Sequence, residues 1–91
     1  MEVTIKYFSV FRALTNRVEE NINLAAGATI NDLLEYLVKE YGRKMEEMLF
    51  SRKKLKGYIR ITINGKIVRN VQEYELHDQD NLYLIVALAG G

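Results

Sequence analysis

One stretch of this sequence, Ile30 to Tyr41, repeats its apolar residues at the helical period, while the segments on both sides alternate with a period of two. Ile30, Leu33, Leu34, Leu37, Val38 and Tyr41 fall at i, i+3, i+4, i+7, i+8 and i+11, which makes one stripe that has to be buried against another element. Thr29 is placed to cap this helix and Asp32 adds negative charge near its N-terminus. Gly42 stands where a left-handed C-terminal cap is expected. The flanking strands are the natural cover for the stripe.

On the N-terminal side, Val3 to Arg12 reads as a strand, with Val3, Ile5, Tyr7 and Phe11 on one side and Thr4, Lys6, Phe8, Val10 and Arg12 on the other. Ser9 interrupts the first set. Leu14-Thr15-Asn16-Arg17 reads as a turn, since Asn tolerates positive φ, and Val18, Ile22 and Leu24 continue as the second strand of a hairpin. Beyond the main helix, Met45, Met48 and Leu49 have the spacing of a second, shorter helix, with the methionines as core filler. Ile59, Ile61 and Ile63 then alternate with Arg60, Thr62 and Asn64, and Asn64-Gly65 is the dipeptide favoured in two-residue hairpin turns, so Lys66 to Arg69 should pair back. A connection with Val71, Tyr74 and Leu76 and an acidic turn, Asp78-Gln79-Asp80, lead to a last strand in which Leu82, Leu84, Val86 and Leu88 alternate with Tyr83, Ile85 and Ala87. The predicted class is α+β: a sheet of about five strands packed on one main helix, plus a short second helix.

The chain has 91 residues, no Pro, no low-complexity linker and no internal repeat. Residues 1–88 are therefore expected to form one domain, with 89–91 as a flexible tail. Absence of Cys removes thiol nucleophiles, disulfides and thiolate metal sites, and the lone His77 cannot build a multi-histidine centre. His77 reads as a surface turn residue, and no metal site is expected. A formal net charge of +1 gives no broad field for nucleic acid or an anionic membrane. No window approaches the roughly 18 to 20 apolar residues of a membrane span, and the start lacks a signal peptide's apolar core, so the expected location is cytoplasmic. The basic run Arg52, Lys53, Lys54 and Lys56 lacks interleaved aromatics and reads as a solvated helix end.

The sequence closes on Ala89-Gly90-Gly91. Glycine lets a tail enter a narrow channel, because no side chain clashes with its walls. The reactive group in such a tail would be the α-carboxylate of Gly91, a poor acyl donor until activated, for example as a mixed anhydride with a nucleotide.

Tyr7-Phe8 and Arg12-Ala13-Leu14 near the start, Asp32-Leu33-Leu34 and Tyr41-Gly42 in the helix, Ile63-Asn64-Gly65 in the later hairpin and the terminal Ala-Gly-Gly appear in an order that resembles the MoaD/ThiS sulfur-carrier family of ubiquitin-like proteins. Within it, the chain is most similar to molybdopterin synthase small subunits. The resemblance implies a ubiquitin-like β-grasp fold with a mixed sheet, and a Gly91 carboxyl that an E1-like enzyme adenylates with ATP before a sulfur donor converts it to a thiocarboxylate. Gly90 and Ala89 would form the slender tail. No cofactor would be bound to this chain. The synthase large subunit would supply the pocket in which sulfur passes to precursor Z, making the dithiolene that binds molybdenum or tungsten. The chain would be a carrier and cosubstrate, without an active site of its own.

Many family members have Asp-Gly-Asp where this chain has Asp78-Gln79-Asp80, Gly where Asn16 stands, and proline shortly before the tail where Val86 and Ala87 stand. If the alternating strand residues point at the helix as expected, Phe8, Val10, Tyr83 and Ile85 are left on the outer face of the sheet, ringed by Arg60 and Arg12, as a candidate partner-binding patch. Three other functions stay open: a ubiquitin-like modifier conjugated to lysines through the same terminus, a thiamin-synthesis carrier, and a noncovalent β-grasp interaction module. Thiamin carriers are usually shorter and lack the segment from Arg43 to Leu55.

Overall fold

The computed structural model describes residues 1–87. Leu88, the expected end of the last strand, and the tail residues Ala89, Gly90 and Gly91 lie outside the described residues. The elements run β1 (Glu2–Tyr7), α1 (Val10–Thr15), β2 (Glu19–Asn23), α2 (Ile30–Tyr41), α3 (Arg43–Leu49), β3 (Phe50–Ser51), β4 (Lys54–Leu55), β5 (Ile59–Ile63), β6 (Lys66–Val68) and β7 (Asn81–Val86). Five strands form one sheet in the order β2-β1-β7-β5-β6, and β3-β4 make a separate small hairpin. β7 lies between β1, which it pairs in parallel, and β5, which it pairs antiparallel, so the sheet is mixed.

α2 has the start and the end of its pattern where the sequence puts them. Thr29 Oγ1 accepts from the Asp32 N–H at 3.2 Å, and the Asp32 carboxylate accepts from the Thr29 N–H at 2.8 Å, closing a reciprocal capping box. Two more N-terminal donors of the helix are met by the connection before β7: the Ile30 N–H reaches Tyr74 O and the Asn31 N–H reaches Val71 O. Ile30, Leu33, Leu34 and Leu37 are fully buried against the inner sheet face of Val3, Ile5, Tyr7, Ile61, Leu82 and Leu84. Each such aliphatic side chain contributes about 1.5–3 kcal/mol on leaving water. Gly42 has the positive φ of a glycine stop, 84°, but its ψ of −159° is not that of a left-handed cap. It turns the chain straight into α3, whose Met45 and Leu49 complete the core.

The first strand is shorter than its alternation suggests. The strand expected over Val3 to Arg12 ends at Tyr7, and residues 10–15 form α1. Ser9 makes the break, at φ 51° and ψ −123°, and Phe11, which would extend the inner strand face, instead drops into the core from the helix. Thr15 Oγ1 donates to Phe11 O at 2.8 Å, a bond across one helical turn. Asn16 does adopt positive φ, 58°, but as the left-handed cap of α1 and not as a hairpin turn. β1 and β2 still pair antiparallel, with Val3 opposite Ile22.

A carboxylate ties the ends of this region to α2. Glu20 Oε1 accepts from Tyr7 Oη at 2.8 Å and from Tyr41 Oη at 2.7 Å, with Arg17 at 4.0 Å from its other oxygen. Replacing Glu20 with Ala strands the buried Tyr7 hydroxyl, and chemical denaturation should show a loss of about 2–3 kcal/mol. Burial, then the hydrogen bond and charge of Glu20, hold the Tyr7 hydroxyl protonated well above the ordinary tyrosine range and raise that of Tyr41. Unfolded tyrosines ionise near pH 10, so this contribution is complete below that pH and falls as pH rises past it, by up to about 1.4 kcal/mol per unit for Tyr7.

The basic run after α3 is not a helix end. Arg52 and Lys53, at φ 53° and 67°, are the two central residues of the β3-β4 turn, with Ser51 paired to Lys54. The later hairpin meets the same demand with Asn64 and Gly65, at φ 50° and 88°. Left-handed backbone costs an ordinary L-residue about 1–2 kcal/mol, so the Arg52→Asn, Lys53→Gly double variant should unfold later in urea by roughly that amount. At the acidic turn, Gln79 takes φ 69° while Asp80 accepts from the His77 N–H and from Asn64 Nδ2. Asn16 and Gln79 thus both occupy left-handed positions.

Candidate functional site

Two features of β7 define the site. Its C-terminal end leads toward the expected reactive terminus, and its outward residues lie mid-sheet. The register places Tyr83 opposite Lys6 of β1 and Thr62 of β5, and Ile85 opposite Arg60 of β5. Thr62 in turn pairs with Ile67 of β6. Since inner and outer positions alternate along each strand, these residues share the face turned away from α2.

Just past β1, the Phe8 ring packs on Tyr83 at 5.3 Å between centroids and 51° between planes. Lys6 Nζ stands 5.5 Å from the Tyr83 ring and the Arg12 guanidinium 5.8 Å from the Phe8 ring, both within cation–π range. Arg60 Nη1 donates to Gly57 O and Ile59 O, which fixes its side chain along the sheet end. The ion pairs among the described residues are Arg17–Glu20 and Arg43–Glu47, so Lys6, Arg12 and Arg60 have no carboxylate partner there. The result is an aromatic and aliphatic centre with a cationic border.

Of the expected patch residues, the fold brings Phe8, Tyr83, Ile85 and Arg60 together. Val10 is not on the sheet: it sits on α1 and is 45% exposed, because the chain turns at Ser9. Lys6 and Ile67 belong to the same face and were not part of the expected set. Ile67, 60% exposed, was readable from the turn, since a two-residue loop at Asn64-Gly65 forces Thr62 opposite Ile67. Thr62 Oγ1 is screened from solvent and has no hydrogen-bond partner among the described residues.

Just past β7 the chain is anchored by a hydrogen bond from the Ala87 N–H to Tyr58 O at 2.7 Å. Lys56 Nζ lies 5.8 Å from the Tyr58 ring, and Tyr58 Oη donates to Met48 O at 3.3 Å. Because β1 and β7 run parallel, Phe8 and the exit of β7 are at the same end of the sheet. The expected reactive and tail residues, Gly91, Gly90 and Ala89, lie outside the described residues. Among the described residues, no three His, Asp or Glu side chains gather as a metal site, and no helix is long and apolar enough to cross a membrane.

The ThiS family model matches residues 5–91. The chain belongs to the ThiS family. Its likeness to solved structures spans the whole fold. A protein from Pyrococcus furiosus, provisionally designated molybdopterin converting factor subunit 1, is 33% identical over 96% of this chain and 98% of that one, with a TM-score of 0.78. The small archaeal modifier protein 1 from Methanosarcina acetivorans is 26% identical, covering 99% and 96%, with a TM-score of 0.80. CysO from Amycolatopsis orientalis, solved in complex with BexX, is 27% identical, covering 98% and 99%, with a TM-score of 0.76. Curated protein sequences give no significant match. The chain is therefore a ubiquitin-like β-grasp protein of the ThiS/MoaD sulfur-carrier type. To the expected main and short helices of that grasp, the structure adds α1 and the β3-β4 hairpin.

Proposed function

We propose that this ThiS-family chain carries sulfur on its C-terminal glycine and donates it, as the small subunit of molybdopterin synthase, to the dithiolene of the molybdenum or tungsten cofactor. The supporting observation is the full-length likeness, at 33% identity, to the Pyrococcus furiosus protein designated molybdopterin converting factor subunit 1. In the first step an E1-like enzyme joins the Gly91 carboxylate to the AMP portion of ATP and releases pyrophosphate. A sulfur donor at the oxidation level of hydrosulfide then displaces AMP, leaving the thiocarboxylate without net redox change. In the large subunit's pocket that sulfur bonds to a carbon of the pterin precursor as a carbon–oxygen bond there breaks and the oxygen leaves. Hydrolysis of the acyl–sulfur bond returns the carboxylate, and a second thiocarboxylated copy supplies the other sulfur of the dithiolene.

This chain's part is to present the tail. From Leu88 to Gly91 an extended chain spans only about 13 to 14 Å at 3.3–3.6 Å per residue, so the body has to dock beside any pocket the tail enters. The outer face of Phe8, Tyr83 and Ile85 with its border of Lys6, Arg12 and Arg60 is at the right end of the sheet for that contact.

The likeness to small archaeal modifier protein 1 supports a second reading, in which the same activated carboxyl passes to a target lysine. Intact-mass measurement and target blots on protein from its native cells separate the two. A mass in which one oxygen is replaced by sulfur, with no conjugates, supports the carrier. A conjugate ladder abolished by deleting Gly91 supports the modifier.

A further inference from the structure

On the helix side of the molecule, away from the sheet face, a groove of about 720 Å³ runs between the outward residues of α2 and α3 and the β3-β4 hairpin. Val38 and Phe50, both half-buried, are its apolar lining residues. Its two walls have opposite charge. The hairpin contributes Arg52 and Lys53, with Lys54 and Arg69 in the adjoining depression, while the helices contribute Glu35 and Glu46. Arg43 and Glu47 also line it but pair with each other at 3.8 Å. Glu35 receives only the side-chain amide of Asn31, at 3.3 Å, and neither Arg52, Lys53 nor Glu46 has an ion-pair partner among the described residues.

These walls select against simple partners. A nucleic acid or an acidic peptide attracted by the hairpin would meet Glu35 and Glu46, and a basic peptide would meet Arg52 and Lys53. The complementary surface carries both signs in the reverse order across the groove, with an apolar strip between them. This surface itself has that arrangement once rotated by a two-fold axis, as an isologous contact requires. A net charge of +1 adds little long-range repulsion between copies.

We propose that the groove is a self-association surface, in which a second copy of this chain sets its Arg52-Lys53 turn against the Glu35–Glu46 wall of the first. The inference does not depend on the sulfur-carrier reading. It also gives the strained turn a role. Where a fold has only to reverse direction, this chain uses Asn64-Gly65; at the groove it keeps two long cations in left-handed backbone. The dimer leaves both sheet faces open, so each copy remains able to dock through Phe8 and Tyr83.

Sedimentation velocity of the full chain, from micromolar to millimolar concentration, tests this. A concentration-dependent dimer that weakens with added salt is expected. Arg52→Glu should weaken it about tenfold or more, since the symmetry repeats each repulsion, and adding Glu46→Arg to that variant should restore association. The Arg52→Asn, Lys53→Gly variant should lose the dimer while gaining stability, which separates association from folding. A monomer at every concentration overturns the proposal. So does a dimer indifferent to Arg52→Glu, a charge swap that fails to restore it, or a dimer lost instead on Phe8→Asp, which would place the contact on the sheet face.

Discussion

One residue added after Gly91 should reduce sulfur transfer by about 10²-fold or more, because misplacing a reacting atom by even an ångström can cost that much. The thermal unfolding profile should not move, since the buried core of Ile5, Leu37 and Leu84 is complete within residues 1–87. Transfer is read with the assembled synthase and the activating enzyme, and folding by circular dichroism. If the extended chain accepts and donates sulfur at the native rate, the carboxyl at this position is not the carrier group, and the noncovalent interaction module becomes the better account.

The second large effect concerns the body. Phe8→Asp puts a carboxylate against Tyr83, in the middle of the proposed docking face, and Ile85→Asp does so on β7 opposite Arg60. Truncating or charging a central aromatic or aliphatic contact typically costs an interface about 2–4 kcal/mol, or roughly 30- to 1,000-fold in affinity. Titration calorimetry against the large subunit, with a melting curve for each variant, checks it. Removing border charge at Arg12 or Arg60 should instead slow association and flatten its salt dependence. Native affinity in Phe8→Asp with an intact fold would move the docking face elsewhere.

Much of this architecture was legible from local chemistry. The Thr29–Asp32 capping box, the stripe from Ile30 to Leu37 and the Asn64-Gly65 turn each have a local cause, and the structure has all three. The regions that departed from expectation are those where local signals conflict. Tyr7 to Phe11 satisfies a period of two as well as one turn of helix, and α1 has only six residues, too few for a helical stripe to stand out. Ser9 then adopts a conformation that serine rarely favours, so the break carries no turn signature. Arg52 and Lys53 similarly lack the residue types of a two-residue turn, and the hairpin was hidden by its own strain. The site divides in the same way. Tyr83, Ile85 and Arg60 follow from alternation and Ile67 from the Asn64-Gly65 register, whereas Lys6 needed the strand order, which sets β7 beside β1 and cannot be read from any one segment.

That strand order bears on when the protein becomes competent. β7 is the last strand made and the middle strand of the finished sheet, so its two ladders, to β1 and to β5, join residues far apart in sequence. Contacts of such separation form late and slowly, after the loops between them have closed. Until they form, Phe8 has no Tyr83 to pack on and the Ala87 N–H has no Tyr58 carbonyl to hold it. A nascent or misfolded chain therefore presents neither the proposed docking face nor an anchored end of β7. An activating enzyme that reads both would charge only molecules that have completed folding, without a separate checkpoint.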